Sequence, residues 1–167
     1  MKPSNKIIVL VYLLFFFLQT KAQVPETSEL FLTLKTNDSL LFNVGFNQCE
    51  ISPFEKLIAE DFEFYHDKSG LMESKDAFIK GITNGLCSVS NPTKSRRELV
   101  AGSLEVFPLY KNGALYGAIQ KGEHKFFESV NGNPESKGSI AKFSHVWIKD
   151  ELGWKIKRVL SYDHKMQ

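Results

Sequence analysis

The four histidines, His66, His124, His145 and His164, are the residues whose chemistry could define a function. Each falls in, or at the end of, a segment whose aromatic and β-branched residues predict a β-strand. A neutral imidazole can act as a general base, bind a divalent ion or bond a ligand. Four imidazoles in one small sheet therefore suggest a shared site. The alternative is that they sit half exposed at the sheet rim and pack against aromatic residues.

Side-chain alternation along the strands indicates which residues could meet. His66 ends one strand, and His145 and Trp147 share a face of another. In the last strand, alternation places Arg158 and Tyr162 on the face of His164. If these faces line one cavity, we expect His66, His145, Trp147, Arg158 and Tyr162 to bind the ligand.

A catalytic interpretation of the same residues makes His66 the general base, with Arg158 or Tyr162 stabilising developing negative charge. Asp67 follows His66 directly and would point to the opposite face, so the sequence argues against a dyad between these neighbours. A metal interpretation would use the imidazoles with Glu123 or Asp163. We predict no metal and no cofactor, because metal-binding His-x-His or His-Glu-x-x-His spacing and a glycine-rich phosphate loop are absent from the sequence. Serine catalysis is not predicted either, since no Gly-x-Ser-x-Gly elbow occurs.

Three helices are predicted to support these strands. The first covers about residues 28–47, and Asn37-Asp38-Ser39 could kink or split it. Ser52 followed by proline and Glu55 predicts a capped second helix over Pro53–Glu60. Ser74 is the predicted N-cap of a third helix that ends near Thr83.

The predicted strands form hairpins marked by turn residues. Asn112-Gly113 and Asp150-Glu-Leu-Gly153 are the turn sequences. Arg96-Arg97 at the start of one long strand is typical of a solvated sheet edge. The predicted strands are Phe62–His66, a short Leu71–Met72 return, Arg96–Leu109, Leu115–Ser129, and a final pair spanning Ile140 to His164.

The order of these elements resembles the nuclear-transport-factor-2-like superfamily. The resemblance is carried by Ala59–Gly70, Ser74–Phe78 and Gly153–Ile156, and it is nearest to SnoaL-like and ketosteroid-isomerase-like exported domains. It implies an α+β fold over residues 28–167, in which a cone-shaped, curved antiparallel sheet wraps around about three helices. It also implies a conical pocket and frequent homodimers through the outer sheet face. Aligning Ala59-Glu60-Asp61 with the isomerases places His66 where those enzymes hold an aspartate base, although their oxyanion-hole tyrosine and acid match no residue here.

The N-terminus predicts export. Lys2 and Lys6 precede an apolar run over residues 7–18, and Thr20-Lys-Ala22 fits a signal-peptidase site. We therefore expect a signal peptide over residues 1–22, an exposed lead-in over residues 23–27, and a secreted or periplasmic location without a membrane anchor. In that compartment, Cys49 and Cys87 favour a disulfide over two buried thiols.

The charge of the chain excludes one class of partner. Cleavage would remove three of the 21 basic residues and none of the 19 acidic ones, leaving 18 against 19 and a net charge near −1. A chain with this balance has no electrostatic footprint for nucleic acid. The sequence thus favours a domain that binds an unknown small molecule. The alternatives are a cofactor-free isomerase, dehydratase or lyase that uses His66, and a non-catalytic dimerisation or protein-interaction module.

Overall fold

The structure is a computed structural model that describes residues 22–167. The predicted signal peptide lies outside the described residues except for Ala22. Within the described range, no helix is both long and apolar enough to cross a membrane. Val24, in the predicted lead-in, is half-buried and donates its backbone N–H to the carbonyl of Val106 at 2.9 Å.

Helix α1 spans Glu29–Ser39 and continues as a π-helix over Leu40–Phe46. The Ser28 hydroxyl caps α1 by accepting the Phe31 N–H at 3.2 Å. The wider helical turn begins directly after the Asn37-Asp38-Ser39 stretch at which the sequence predicted a break. π-helical turns are rare and are often found at functional sites.

Helix α2 spans Ser52–Leu57 and is shorter than predicted. Its first intrahelical bonds run from the N–H groups of Phe54 and Glu55 to the Ile51 carbonyl. Ile51 is thus the N-cap, and the predicted capping role of Ser52 is wrong. The helix ends three residues early because Ile58 already pairs with Ile156 in the sheet.

Helix α3 spans Lys75–Gly81 and continues as a π-helical turn over Ile82–Leu86. Its predicted N-cap is confirmed, since the Ser74 hydroxyl accepts the Ala77 N–H at 3.3 Å. The predicted disulfide is also present: Cys49, after the first π-helix, is bonded to Cys87, after the second. This bond ties the two helical segments together.

Seven strands form one curved, unclosed sheet, which confirms the predicted α+β class. The strand order is β2-β1-β7-β6-β5-β3, with β4 also paired to β5. The pair β1–β7 is parallel and the other pairs are antiparallel, so the sheet is mixed rather than wholly antiparallel as predicted. The strands are β1 (Ile58–His66), β2 (Gly70–Glu73), β3 (Thr93–Leu99), β4 (Glu105–Lys111), β5 (Ala114–Val130), β6 (Ser136–Asp150) and β7 (Gly153–Met166).

The predicted long strand Arg96–Leu109 is in fact two strands. The chain turns out of the sheet between β3 and β4 at Gly102, which has a φ of 75°. Both strands pair with β5, β3 along its C-terminal half and β4 along its N-terminal half. The predicted Asn112-Gly113 hairpin is confirmed, with φ angles of 52° and 78° at these two residues.

Two bulges in β7 determine which of its side chains face the helices. Opposite β6, Val146 pairs with Arg158 and Trp147 with Ile156, which leaves Lys157 as an extra residue. A second irregularity lies near Asp163, whose φ is 62°. Each bulge shifts the alternation of the strand by one residue.

Candidate functional site

A cavity of about 320 Å³ lies inside the curved sheet, beneath the helices. Seven of its lining residues are phenylalanines, contributed by the π-helix after α1, by α2, β1, α3 and β5. Five polar residues also line it: His66, Ser69, His124, His145 and Ser161. A concave, mainly apolar site with a few placed polar groups is typical of small-molecule binding.

His145 is fully buried on β6 and presents a hydrogen-bond acceptor. Its Nδ1 lies 3.2 Å from Oε1 of Gln120, which also accepts the Trp147 Nε1–H at 2.8 Å. The Gln120 amide nitrogen donates to the Leu34 carbonyl at 3.1 Å, which fixes Oε1 toward the two rings. Because an amide oxygen only accepts, His145 carries its proton on Nδ1. Its Nε2 is then an acceptor, and no group among residues 22–167 donates to it.

His145 is held in the neutral form. Burial, followed by the charges of Arg97 and His124, keeps the pKa of this imidazole well below its usual value. The ring stacks on Phe143, with centroids 4.4 Å apart, and on Phe42 at 5.8 Å. Trp147, predicted to contact a ligand, is fully buried. Its Nε1–H donates to the same Gln120 oxygen that accepts from His145, so it helps to hold that oxygen in place.

A buried ion pair lies beside this acceptor. Arg97 on β3 donates from both terminal nitrogens to Asp38 of α1, at 2.6 and 3.1 Å, and it is 1% exposed. Burial raises the pKa of the Asp38 carboxyl, and Arg97 opposes that rise. The guanidinium also lies 4.0 Å from the centroid of the Phe42 ring. The prediction that Arg97 is a solvated edge residue is wrong, because its side chain points to the concave face of the sheet.

His124 on β5 connects the ion pair to the cavity. Nε of Arg97 donates to Nδ1 of His124 at 3.3 Å. Burial, and then the charges of Arg97, His164 and His66, lower the pKa of His124 to about 3. The neutral ring therefore carries its proton on Nε2, which lies 3.4 Å from the Ser161 hydroxyl.

His164 and Asp67 meet beside the cavity-lining Ser161. Nδ1 of His164 donates to Asp67 at 2.6 Å, and its backbone N–H donates to the other carboxylate oxygen at 3.2 Å. Burial opposes ionisation of Asp67, but these two hydrogen bonds and the charges of His164 and His66 hold the pKa of the carboxyl below its usual value. Nε2 of His164 lies 3.4 Å from the Ser161 hydroxyl.

His66, the predicted catalytic base, lines the cavity, and its ring stacks on that of His164. Its Nδ1 accepts the backbone N–H groups of Lys68 and Ser69 at 3.1 and 3.2 Å. Burial and the charge of His164 lower the pKa of the ring. Neutral His66 therefore presents Nε2–H, a donor, whereas the predicted role needs an unoccupied basic nitrogen.

The ligand atoms of His66, Asp67 and His164 lie within 4.8 Å of one another, a spacing compatible with a metal ion. The two rings, however, stack with their centroids 4.4 Å apart and their planes inclined by 26°. The nitrogen lone pairs lie in the ring planes, so stacked rings do not direct them at one ion. The arrangement fits ring stacking better than coordination.

Arg158 and Tyr162 lie on the outer face of the sheet, so the prediction that they face the cavity is wrong. Arg158 donates to Glu63 at 2.8 Å, and the Tyr162 hydroxyl lies 3.4 Å from that of Ser144. The cause is the bulge at Lys157, which exchanges the two faces of β7. Ser161 faces the cavity instead, and the bulge at Asp163 returns His164 to the side of Ser161 and His124.

Comparison with solved structures gives matches at low sequence identity. An NTF2-like protein from Cytophaga hutchinsonii superposes with a TM-score of 0.59 at 12% identity, over 81% of this chain and 98% of the other. An NTF2-like superfamily protein from Salmonella enterica serovar Typhimurium gives a TM-score of 0.58 at 13% identity, over 81% and 92%. This protein has the nuclear-transport-factor-2-like fold. A Nostoc punctiforme domain of unknown function, described as cystatin-like in fold, matches this NTF2-like chain with a TM-score of 0.54 at 14% identity, over 78% and 74%.

The predicted resemblance is thereby confirmed for the NTF2-like fold. No family model matches the sequence, and no curated protein matches it. A shared fold does not determine an activity, so the residues of the cavity are the basis for a proposed function.

Proposed function

We propose that the protein binds a small, largely apolar molecule that carries one hydrogen-bond donor, such as a phenol or an alcohol. The observation that carries this proposal is Nε2 of His145, a neutral acceptor at the buried end of a phenylalanine-lined cavity, to which no described residue donates. A buried polar atom without a partner costs about 1–3 kcal/mol. A ligand hydroxyl that donates to Nε2 would recover that free energy.

The charges around the cavity favour a neutral ligand. Arg97 is compensated by Asp38, and both are buried behind the cavity wall. His124 and His145 are neutral for the reasons given above. A charged ligand would therefore lose its hydration without a matching charge to receive it.

The volume supports a ligand of modest size. About 320 Å³ lies near the lower end of the range of roughly 300–1,000 Å³ for small-molecule sites. Apolar burial contributes about 25 cal/mol per Å², so the phenylalanine walls would supply affinity and His145 would supply selectivity.

The test compares 4-butylphenol with butylbenzene by calorimetric titration. We expect the wild-type protein to bind the phenol more tightly, by at least about fivefold, which corresponds to one hydrogen bond of about 1 kcal/mol. His145→Phe should still bind butylbenzene and should lose the preference for the phenol. Tyr162→Phe, which removes a hydroxyl on the outer face, is the matched control and should keep the wild-type preference.

Circular dichroism of each variant shows whether a lost preference reflects unfolding. Failure of the wild-type protein to bind either probe would contradict the proposal. An unchanged preference in folded His145→Phe would contradict the role of Nε2.

We also propose that the mature protein is exported. The apolar run over residues 7–18 and the disulfide between Cys49 and Cys87 support this location. Mass spectrometry of the protein from a periplasmic or culture fraction should give a chain that begins at Gln23. Recovery of the full-length chain from the cytosol alone would contradict it.

A further inference from the structure

We propose that Ser161, His164 and Asp67 form a nucleophilic triad, with Ser161 in the cavity wall, and hydrolyse small esters with an apolar acyl group. This proposal rests on the proposed function in one respect, because the same cavity would receive the acyl chain. The three side chains come from β7 and from the turn after β1, which are adjacent in the sheet.

The hydrogen bonds around Ser161 have one consistent direction. The Asp67 carboxylate accepts Nδ1–H of His164 at 2.6 Å, so Nε2 of His164 is free to accept. The Ser161 hydroxyl lies 3.4 Å from that Nε2. Such a distance is long for a hydrogen bond, but catalytic hydrogen bonds in unliganded enzymes are often long and tighten when substrate binds.

His124 fixes the direction from the other side. Its Nδ1 accepts from Arg97, so its Nε2–H is directed at the Ser161 oxygen, 3.4 Å away. The Ser161 oxygen accepts from His124, which leaves its own hydrogen to point at His164. The hydroxyl is thereby oriented as a nucleophile needs to be.

The backbone around the triad explains why these residues meet. Asp163 adopts a φ of 62°, and this bulge places Ser161 and His164 on one face although they are three residues apart. The Asp67 N–H donates to the Ser161 carbonyl at 3.1 Å, and Asp67 also accepts the His164 backbone N–H. A positive φ in a residue other than glycine is uncommon, and such strained positions cluster at functional sites.

The surroundings suit an apolar acyl group. Ser161 is 5% exposed and lines the cavity beside Val159, Phe64 and Phe126. In the free protein the His124 Nε2–H, polarised by Arg97, points at the Ser161 oxygen. Once that oxygen has bonded to the carbonyl carbon, the same N–H is released to donate to the carbonyl oxygen as negative charge develops on it. His164 is nearly buried, with 5% of its side chain exposed, which keeps water from competing for its Nε2.

The reaction balances with water as the only co-reactant. Oγ of Ser161 bonds to the ester carbonyl carbon while Nε2 of His164 takes the hydroxyl proton, and Asp67 stabilises the imidazolium. The bond to the alcohol then breaks, and the alcohol leaves with the proton from His164. Water attacks the acyl-enzyme while giving a proton to His164. That proton returns to Oγ as the carbon–Oγ bond breaks, releasing the carboxylic acid and restoring Ser161.

The test uses an alkyl fluorophosphonate, which reacts with activated serine hydroxyls and releases fluoride. We expect one adduct on the wild-type protein, located at Ser161 by peptide mass spectrometry, and none at that position in Ser161→Ala. Ser144→Ala, a serine variant on the outer face of β6, should label at the wild-type rate.

Asp67→Asn separates a positioning role from a structural one. We expect the rate of labelling to fall at least about tenfold, and kcat for 4-nitrophenyl butyrate to fall as much with KM unchanged, because the change leaves the acyl site intact. If Asp67→Asn lost labelling and kcat because it unfolds, its circular dichroism spectrum would change and its binding of butylbenzene would weaken.

Two results would overturn the triad: no adduct at Ser161 in the wild-type protein, or an undiminished labelling rate in folded Asp67→Asn. Binding of butylbenzene, measured on the same samples, distinguishes the two proposals. Normal binding of butylbenzene without an adduct at Ser161 would contradict the triad alone. Loss of both the binding and the adduct would also contradict the proposed binding function.

Discussion

Acid should destabilise this protein through His124, and the size of the effect follows from its burial. The ordinary pKa of the imidazole is 6.5, and in the folded protein burial and the charge of Arg97 lower the pKa to about 3. Below pH 6.5 the unfolded chain therefore binds a proton that the folded chain does not. A group with a depressed folded pKa contributes stability that is present above its unfolded pKa and lost as pH falls.

The loss between pH 7 and pH 5 can be worked from these two values. At pH 5 the unfolded imidazole is almost fully protonated and the folded one is not, so His124 alone lowers the free energy of unfolding by about 2 kcal/mol. His145 and His66 have lowered pKa values and act in the same direction. Asp38 has a raised pKa and gains stability as pH falls through its folded pKa, which opposes the loss.

The contribution of His124 can be isolated with His124→Gln, which keeps an amide donor toward Ser161. Urea unfolding of both proteins at pH 7, 6 and 5 gives the free energy of unfolding at each pH. The advantage of the wild-type protein over the variant should shrink by about 2 kcal/mol from pH 7 to pH 5, while the other groups cancel in the difference. A constant difference across this range would contradict this prediction, because it would mean that His124 has the same pKa in the folded and unfolded states.

Two further predictions concern packing and charge behind the cavity. Arg97→Met should lower the free energy of unfolding by about 3–5 kcal/mol, because it leaves Asp38 buried without its partner. The control Arg96→Met, which breaks an exposed ion pair, should cost about 1 kcal/mol or less. Equal losses of the two variants in chemical denaturation would contradict this prediction. Gly45→Ala should cost about 1–3 kcal/mol, since its added Cβ would lie 2.7 Å from the Phe54 ring of the cavity wall. At Gly85, by contrast, an added Cβ would have no described atom within 4 Å apart from the backbone of its own helical turn and its chain neighbours. Similar melting temperatures for Gly45→Ala and Gly85→Ala would show that the wall yields freely.

The fold was predictable because several local signals agree with one another. Ser74 is a cap residue, and Asn112-Gly113 adopts the positive φ angles that its hairpin requires. The strand periodicity that placed His145 on the inner face holds because β6 runs without a bulge around that residue. The parallel β1–β7 pair was not predictable, since the two strands are far apart in sequence and no turn relates them.

The candidate site was only partly predictable, and the bulges in β7 explain the difference. Regular alternation through Lys157 would place Arg158 and Tyr162 on the face that lines the cavity. Lys157 is instead an extra residue opposite β6, and it moves both side chains to the outer face of the sheet. The same exchange hid Ser161, which has no sequence motif around it. Neither Lys157 nor its neighbours are residue types that distinguish a bulge from a regular strand, so only the pairing with β6 shows the bulge.

The buried polar groups behind the cavity were also missed. Arg97 carries the same charge as its exposed neighbour Arg96, and only the contact with Asp38, 59 residues away, distinguishes the two. Gln120 likewise gains its role from contacts with Trp147 and Leu34 that are distant in sequence. Long-range pairing of this kind leaves no periodic pattern in a single sequence.

The most direct test of the binding proposal is nitrogen-15 NMR of the histidine rings, with His145 assigned from the spectrum of His145→Phe. In the free protein, we predict an unprotonated Nε2 and a protonated Nδ1 at His145 at pH 7. Addition of 4-butylphenol should move the Nε2 resonance in the direction of a hydrogen-bonded acceptor, and butylbenzene should not. A His145 protonated on Nε2, or a resonance that stays unmoved while the phenol binds, would contradict the claim that this nitrogen receives the ligand.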